Sequence, residues 1–110
     1  MIDSYDFGRI VIDGKRYHHD VVIFQDKIES WWRKEGHRLQ IEDIEKVIEE
    51  RPDILIVGTG NSGYMGVLPE VEEKLKSLGI ELIVKKTKDA CEAYNKVKDK
   101  KVIAALHLTC

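Results

Sequence analysis

Asp53-Ile-Leu-Ile-Val-Gly58-Thr-Gly60-Asn-Ser-Gly63-Tyr-Met-Gly66 decides how this chain folds. The run Ile54–Val57 carries neither charge nor polar alternation, so both of its faces need cover, as in a parallel strand between helices. Glycines follow, and then Pro69, which suits the first position of a helix because its missing N–H would be unpaired there anyway. Strand, glycine loop and helix form one unit. The loop lets backbone amides approach whatever sits at the strand's C-terminal end.

Downstream, helix and strand alternate. Glu70, Glu72 and Glu73 favour the first helical turn, Val71, Leu75 and Leu78 form its apolar side, and Gly79 ends it in the left-handed conformation. Ile80–Val84 is the next strand. Thr87 is placed to cap a third helix in which Ala90, Ala93, Tyr94 and Val97 share a face. Val102–Leu106 is the last strand, and its alanines predict a close neighbour. Upstream, Ile41, Ile44, Val47 and Ile48 fall on one helical stripe that stops before Pro52.

The first third is β in character. Gly8–Asp13 alternates, Asp13-Gly14 supplies the positive-φ pair of a tight hairpin, and Lys15–His18 returns antiparallel. Val21–Phe24 and Ile28–Trp32 continue the meander around Gln25–Lys27. As strand neighbours, Trp31 and Trp32 face opposite sides, which leaves one of them partly exposed. Arg33–Arg38 is a polar loop. The order predicts an α/β fold over residues 1–110 as a single domain, with an N-terminal antiparallel β-meander joined to a largely parallel layer. Right-handed crossovers would align strands 54–57, 80–84 and 102–106. The loops Gly58–Leu68 and Lys85–Lys88 and the tail His107–Cys110 then meet where ligands sit on such sheets.

Composition removes several classes of function. The chain has 110 residues, 43% of them apolar and 35% charged, with a net charge of −2. Balanced charge gives no basic footprint for nucleic acid or an anionic membrane. No apolar run is long enough for a membrane span, and the first residues lack the pattern of a signal peptide, so a cytoplasmic location is expected. Cys91 and Cys110 form no C-x-x-C and are expected as reduced thiols. Abundant Lys and Glu with scarce Asn and Gln lean towards a thermophile.

Gly58-Thr-Gly60-Asn-Ser-Gly63 matches G-x-G-x-x-G letter for letter, yet its context is wrong for a dinucleotide. The helix opens only at Pro69, and Lys85-Lys86-Thr87 stands where an acidic ribose partner belongs. A small anion or polar ligand fits better than a dinucleotide, held by the backbone of Thr59, Gly60, Asn61 and Gly63 with Lys86, Thr87 and the His107/Thr109 edge; the alternative is a glycine loop shaped by close packing alone. Ser62 lacks the G-x-S-x-G frame and an identifiable base. His107 and Cys110 have no metal-pair spacing, so neither a metal nor a cofactor is expected. His18-His19-Asp20 is either a base with its orienting carboxylate or a polar hairpin end. Trp31 and Trp32 are candidates for a protein-contact surface.

Phe7-Gly8, Gly14 with Tyr17, Asp20-Val-Val-Ile23, Trp32-Arg33…Gly36-His37, Val57-Gly-Thr-Gly60…Gly63, Thr87 with Ala90, Tyr94-Asn95 and Ala105-Leu-His-Leu-Thr-Cys110 run in order along the whole chain. Together they resemble a family of small, mostly uncharacterised proteins. Its members include archaeal and bacterial single-domain proteins, the vertebrate adipogenesis-associated domain protein and a mitochondrial complex I assembly factor. The resemblance implies a three-layer α/β fold on a central mixed, partly parallel sheet. It supplies no catalytic residue, and it points to assembly or regulation through protein contacts. The expected function is a non-catalytic binding, assembly or regulatory module with a polar pocket at Gly58–Gly63, its partners a small ligand, another protein or a second copy. The alternative is an enzyme of unassigned reaction using His107, Cys110 or His18 at the same pocket.

Overall fold

In the computed structural model, which describes residues 1–110, the strand of the glycine unit is an interior strand of a five-stranded sheet. The strands are β1 (Ile2–Asp6), β2 (Arg9–Ile12), β3 (Lys15–Tyr17), β4 (Val21–Ile23), β5 (Ile28–Ser30), β6 (Arg38–Leu39), β7 (Ile54–Thr59), β8 (Gly66–Val67), β9 (Glu81–Lys85) and β10 (Val102–His107). The helices are a 3-10 turn at Ile41–Ile44 running into α1 (Glu45–Glu50), then α2 (Pro69–Ser77) and α3 (Thr87–Lys96).

The central sheet has the order β5-β4-β10-β7-β9. Strands β10, β7 and β9 are parallel, and β4 and β5 are antiparallel additions on the other side of β10. The sheet is therefore mixed, and its three parallel strands end together as the alternation of elements predicts. Every residue of β7 and β10 is buried, which explains why neither sequence alternates.

Alternate side chains of β10 feed two apolar clusters. Ile103 and Ala105 join Leu55, Val57, Val71, Leu75, Ile44 and Val47 beneath α1 and α2. Val102, Ala104 and Leu106 join Ile54, Ile56, Ala90 and Cys91 under α3, where Ile2, Ile10 and Ile12 of the small sheet β1-β2-β3 also pack. The result is a three-layer α/β arrangement. The alanines of β10 are wholly buried, and Ala104 lies in the cluster that α3 covers.

Four local expectations are revised. The β-meander does not run on as one unit: β4 and β5 leave it for the central sheet, because Val21–Phe24 is apolar throughout and needs cover on both faces. Strand β1, absent from the sequence reading because Asp3-Ser4-Tyr5-Asp6 is polar, pairs with β2 and is tied to α3 by Asn95. The Asn95 amide accepts from the Ile2 N–H at 2.9 Å and donates to the Ile2 carbonyl at 2.8 Å, as a strand neighbour would. Trp31 and Trp32 lie just past β5, yet the predicted split holds, with Trp31 buried and Trp32 77% exposed. Finally, Thr87 is no cap. It is the first residue of α3, and its hydroxyl is engaged elsewhere.

Candidate functional site

The C-terminal ends of β7, β9 and β10 bring together the glycine loop, Lys86-Thr87 and the tail. Thr87 ties them. Its hydroxyl donates to the His107 carbonyl at 2.5 Å and accepts from the Gly60 N–H at 2.9 Å, fully buried. The Gly60 carbonyl in turn accepts from the Thr87 N–H at 3.1 Å. Thr59 Oγ1 donates to the Lys85 carbonyl at 3.1 Å, and the Asn61 N–H donates to the Thr109 carbonyl at 2.6 Å. Tyr64 N–H bonds the Cys110 carbonyl, and Met65 N–H bonds the Thr59 carbonyl, each at 3.1 Å.

The anion cradle expected at Thr59, Gly60, Asn61 and Thr87 is therefore filled from within. The amides of Gly60 and Asn61 and the hydroxyls of Thr59 and Thr87 already have partners in the chain, so they have no hydrogen left for an external anion. The glycines serve close packing. A Cβ on Gly58 would lie 2.8 Å from Thr87 Oγ1, and one on Gly60, where φ is +106°, would lie 2.6 Å from the Cys110 carbonyl oxygen. A Cβ on Gly63 would press on the flexible stem of Lys86, at 3.2 Å, and make ordinary contact with Thr59 Oγ1 at 3.6 Å.

The side chains that do converge lie on the other flank of His107. Its Nδ1 is 2.8 Å from Asp20 Oδ2, and Asp20 Oδ1 accepts the Leu108 N–H at 2.7 Å. Arg33, its side chain 5% exposed, places Nη1 2.9 Å from Asp20 Oδ2, and its guanidinium lies 4.5 Å from the centre of the Trp31 ring. The contact of Nη1 with the carboxylate is ionic rather than an aligned hydrogen bond, and Nε is also without a partner. Arg33 Nη2 lies 3.0 Å from His107 Nδ1 and 3.1 Å from the Gly36 carbonyl. Guanidinium nitrogens only donate, and a carboxylate only accepts. The consistent assignment has Nδ1–H donating to Asp20 and Nη2 donating to Gly36.

In the neutral ring, that assignment leaves His107 Nε2 as an acceptor. It is buried and has no partner in the protein. The His37 ring stands edge-on to it, centroids 5.9 Å apart, and the exposed Tyr64 ring stands edge-on to His37 at 6.2 Å. Burial opposes the charge on Asp20, but the hydrogen bonds from His107 and the Leu108 amide, with the adjacent Arg33 guanidinium, outweigh it and hold the carboxyl below its ordinary value.

Asp20 thus does orient a histidine, but not its sequence neighbours. His18 is exposed, and His19 bonds the Asp20 backbone carbonyl at 2.9 Å. Spacing could not find Asp20 or Arg33, which lie far from His107 in sequence and on different elements. The one signal was that Asp20, Arg33, Gly36 and His107 all fall within the pieces that carry the family resemblance.

Trp31 and Trp32 border a different feature. Trp31 donates its Nε1–H to the Asp43 carbonyl at 3.0 Å. Beside it a groove of about 300 Å³ has Phe24, Val22, Ile44 and Val47 in its walls, Trp32 at its edge, and the carboxylates of Glu29, Glu42 and Glu45 around it. Lys46 is the one basic side chain there, and it pairs with Glu29 at 3.3 Å. No helix is long and apolar enough to cross a membrane.

Residues 2–107 match the profile of a protein family of unknown function, DUF498/DUF598. The chain is similar over its full length to a conserved hypothetical protein from Pyrococcus horikoshii OT3, at 34% identity, 99% of that chain covered and a TM-score of 0.91. It shares its fold with an outer membrane protein from Bartonella henselae, at 22% identity, 99% and 94% of the two chains covered and a TM-score of 0.84. A Mth938-like domain from Bordetella pertussis has the same fold, at 18% identity, 98% and 85% covered and a TM-score of 0.71.

Proposed function

The chain belongs to the DUF498/DUF598 family of proteins of unknown function, and we propose that it is a non-catalytic binding module for assembly or regulation that works by contact with another protein chain. The observation that carries this reading is Trp32, 77% exposed at the edge of an apolar groove. An exposed indole at the edge of a groove that has apolar residues at its base and carboxylates around it has the composition of an interface hot spot. The carboxylates around the groove select the partner: a segment with one aliphatic or aromatic anchor flanked by Lys or Arg. The resemblance to the adipogenesis-associated protein and the complex I assembly factor supports the same role.

The test is isothermal titration with short peptides carrying a Leu or Phe anchor between basic residues. Binding should weaken about tenfold or more in Trp32→Ala, as for a hot-spot indole, and should weaken as salt rises. Equal affinity of Trp32→Ala, or equal binding of acidic peptides, overturns it.

A second reading is favoured by the partnerless His107 Nε2. It supports a small polar ligand bearing an N–H or O–H donor, for which Lys86, Gly63 and Thr109 are proposed as further contacts. It also leaves room for the enzyme alternative, since a carboxylate on Nδ1 presents Nε2 as a general base. A thermal-shift screen of small polar compounds against the native chain and His107→Phe separates this reading from the first: only a ligand of this site loses its stabilisation in the variant.

A further inference from the structure

The two edges of the central sheet are unlike. Strand β5 is three residues long and guarded by charge, with Lys27 and Lys46 both on Glu29 at 3.1 and 3.3 Å, which discourages further pairing. Strand β9 at the opposite edge is longer and carries Leu82-Ile83-Val84 at its centre, with Leu82 and Ile83 half-buried and Val84 41% exposed. An open hollow of about 590 Å³ bordered by Ile80, Leu82, Val84 and Lys76 lies alongside it.

Which peptide groups of β9 are free follows from its inner bonds. The Glu81 N–H donates to the Asp53 carbonyl at 3.0 Å, and the Lys85 carbonyl accepts from Thr59 at 3.1 Å, so residues 81, 83 and 85 address β7. Peptide groups alternate along a strand, so Leu82 and Val84 turn their N–H and C=O outward. We infer that β9 is a self-association edge whose occupant is the β9 of a second copy of this chain, paired antiparallel about Ile83.

The register is dictated by the sequence. A two-fold axis at Ile83 sets Leu82 against Val84 of the partner, both outward-facing, so that they exchange paired backbone hydrogen bonds. Ile83 meets Ile83 of the partner subunit in a close, non-hydrogen-bonded pair. Glu81 then faces Lys85 of the partner subunit, and Lys85 faces Glu81 of the partner subunit, opposite charges in both outer positions. A shift by one residue in this arrangement loses the charge match and sets inward-facing groups against outward-facing ones. The self-complementarity is what names a second copy rather than another chain. The two five-stranded sheets become one, and both Trp32 grooves stay free at its far ends.

Sedimentation velocity on the full chain, from micromolar to millimolar concentration, tests this. The wild type should shift from monomer to dimer as concentration rises. Glu81→Lys, and separately Lys85→Glu, should raise the dimer dissociation constant about tenfold by turning two attractive cross-strand pairs repulsive. The double variant Glu81→Lys/Lys85→Glu should return it to near the wild-type value. Both positions are exposed, so neither swap disturbs the core. A wild type that stays monomeric throughout, or a double variant no better than the singles, overturns the inference.

Discussion

Asp20 serves three groups at once. It neutralises a nearly buried guanidinium, fixes the tautomer of His107 and accepts the Leu108 amide, so its removal strands a charge and orphans a backbone donor together. Asp20→Ala should cost about 3–5 kcal/mol in urea denaturation, the range for breaking a buried pair from one side. The pH dependence has a definite sign. Because the folded carboxyl titrates below its ordinary 3.8, its stabilisation is complete above that value and is lost as pH falls through the lower folded value. Asp20→Asn should therefore flatten the acid limb of the stability–pH curve while lowering its plateau. At Thr87, replacement by Val keeps the shape but leaves the Gly60 donor and the His107 carbonyl without their partner. A loss of about 2–4 kcal/mol by the same measurement is expected, with Thr87→Ser much milder. Neither role is visible locally: Asp20 sits in a His-His-Asp string, and Thr87 has the sequence context of a cap.

At the scale of elements, the glycine loop and the C-terminal tail behave as one piece. The loop's amides at Asn61 and Tyr64 end on the carbonyls of Thr109 and Cys110, and the Gly8 N–H and Tyr5 hydroxyl both end on the Leu108 carbonyl at 2.8 Å. Gly60→Ala would set a methyl against backbone at a positive φ, so tail and loop must part. Hydrogen exchange at the Asn61 and Tyr64 amides should accelerate well beyond the change seen in β7. Gly63→Ala, whose tight contacts are with the movable Lys86 stem, should perturb those amides far less, although its φ of +76° still carries some strain. The pattern G-x-G-x-x-G announces a close backbone approach, and that much is right. What approaches is the chain's own last residues, which no reading of the loop alone could reveal.

Across the whole molecule, one sheet divides two cores, and β10 serves both. Ile103→Ala on one side should therefore cost about 2–5 kcal/mol, and Ala104→Leu on the other should be destabilising through overpacking against the α3 layer, both read as denaturant midpoints. The thiols report the same partition. Burial, with help from the Glu92 charge, pushes Cys91 up to about 12, whereas Cys110 is exposed. A thiol reagent at neutral pH should label Cys110 alone in the native protein and reach Cys91 only on unfolding. By itself the sequence determined the main helices and the parallel strands of the core: uncharged runs at 54–57 and 102–106, Asp13-Gly14, Pro69 and Gly79 act through local sterics and burial, which need no knowledge of distant residues. Only the tertiary structure decided that β4 and β5 join the central sheet, that the tail fills the glycine loop, and that Asp20, Arg33 and His107 meet. Those outcomes depend on which distant groups compete for the same hydrogen bonds and buried space, and chain order does not encode that competition.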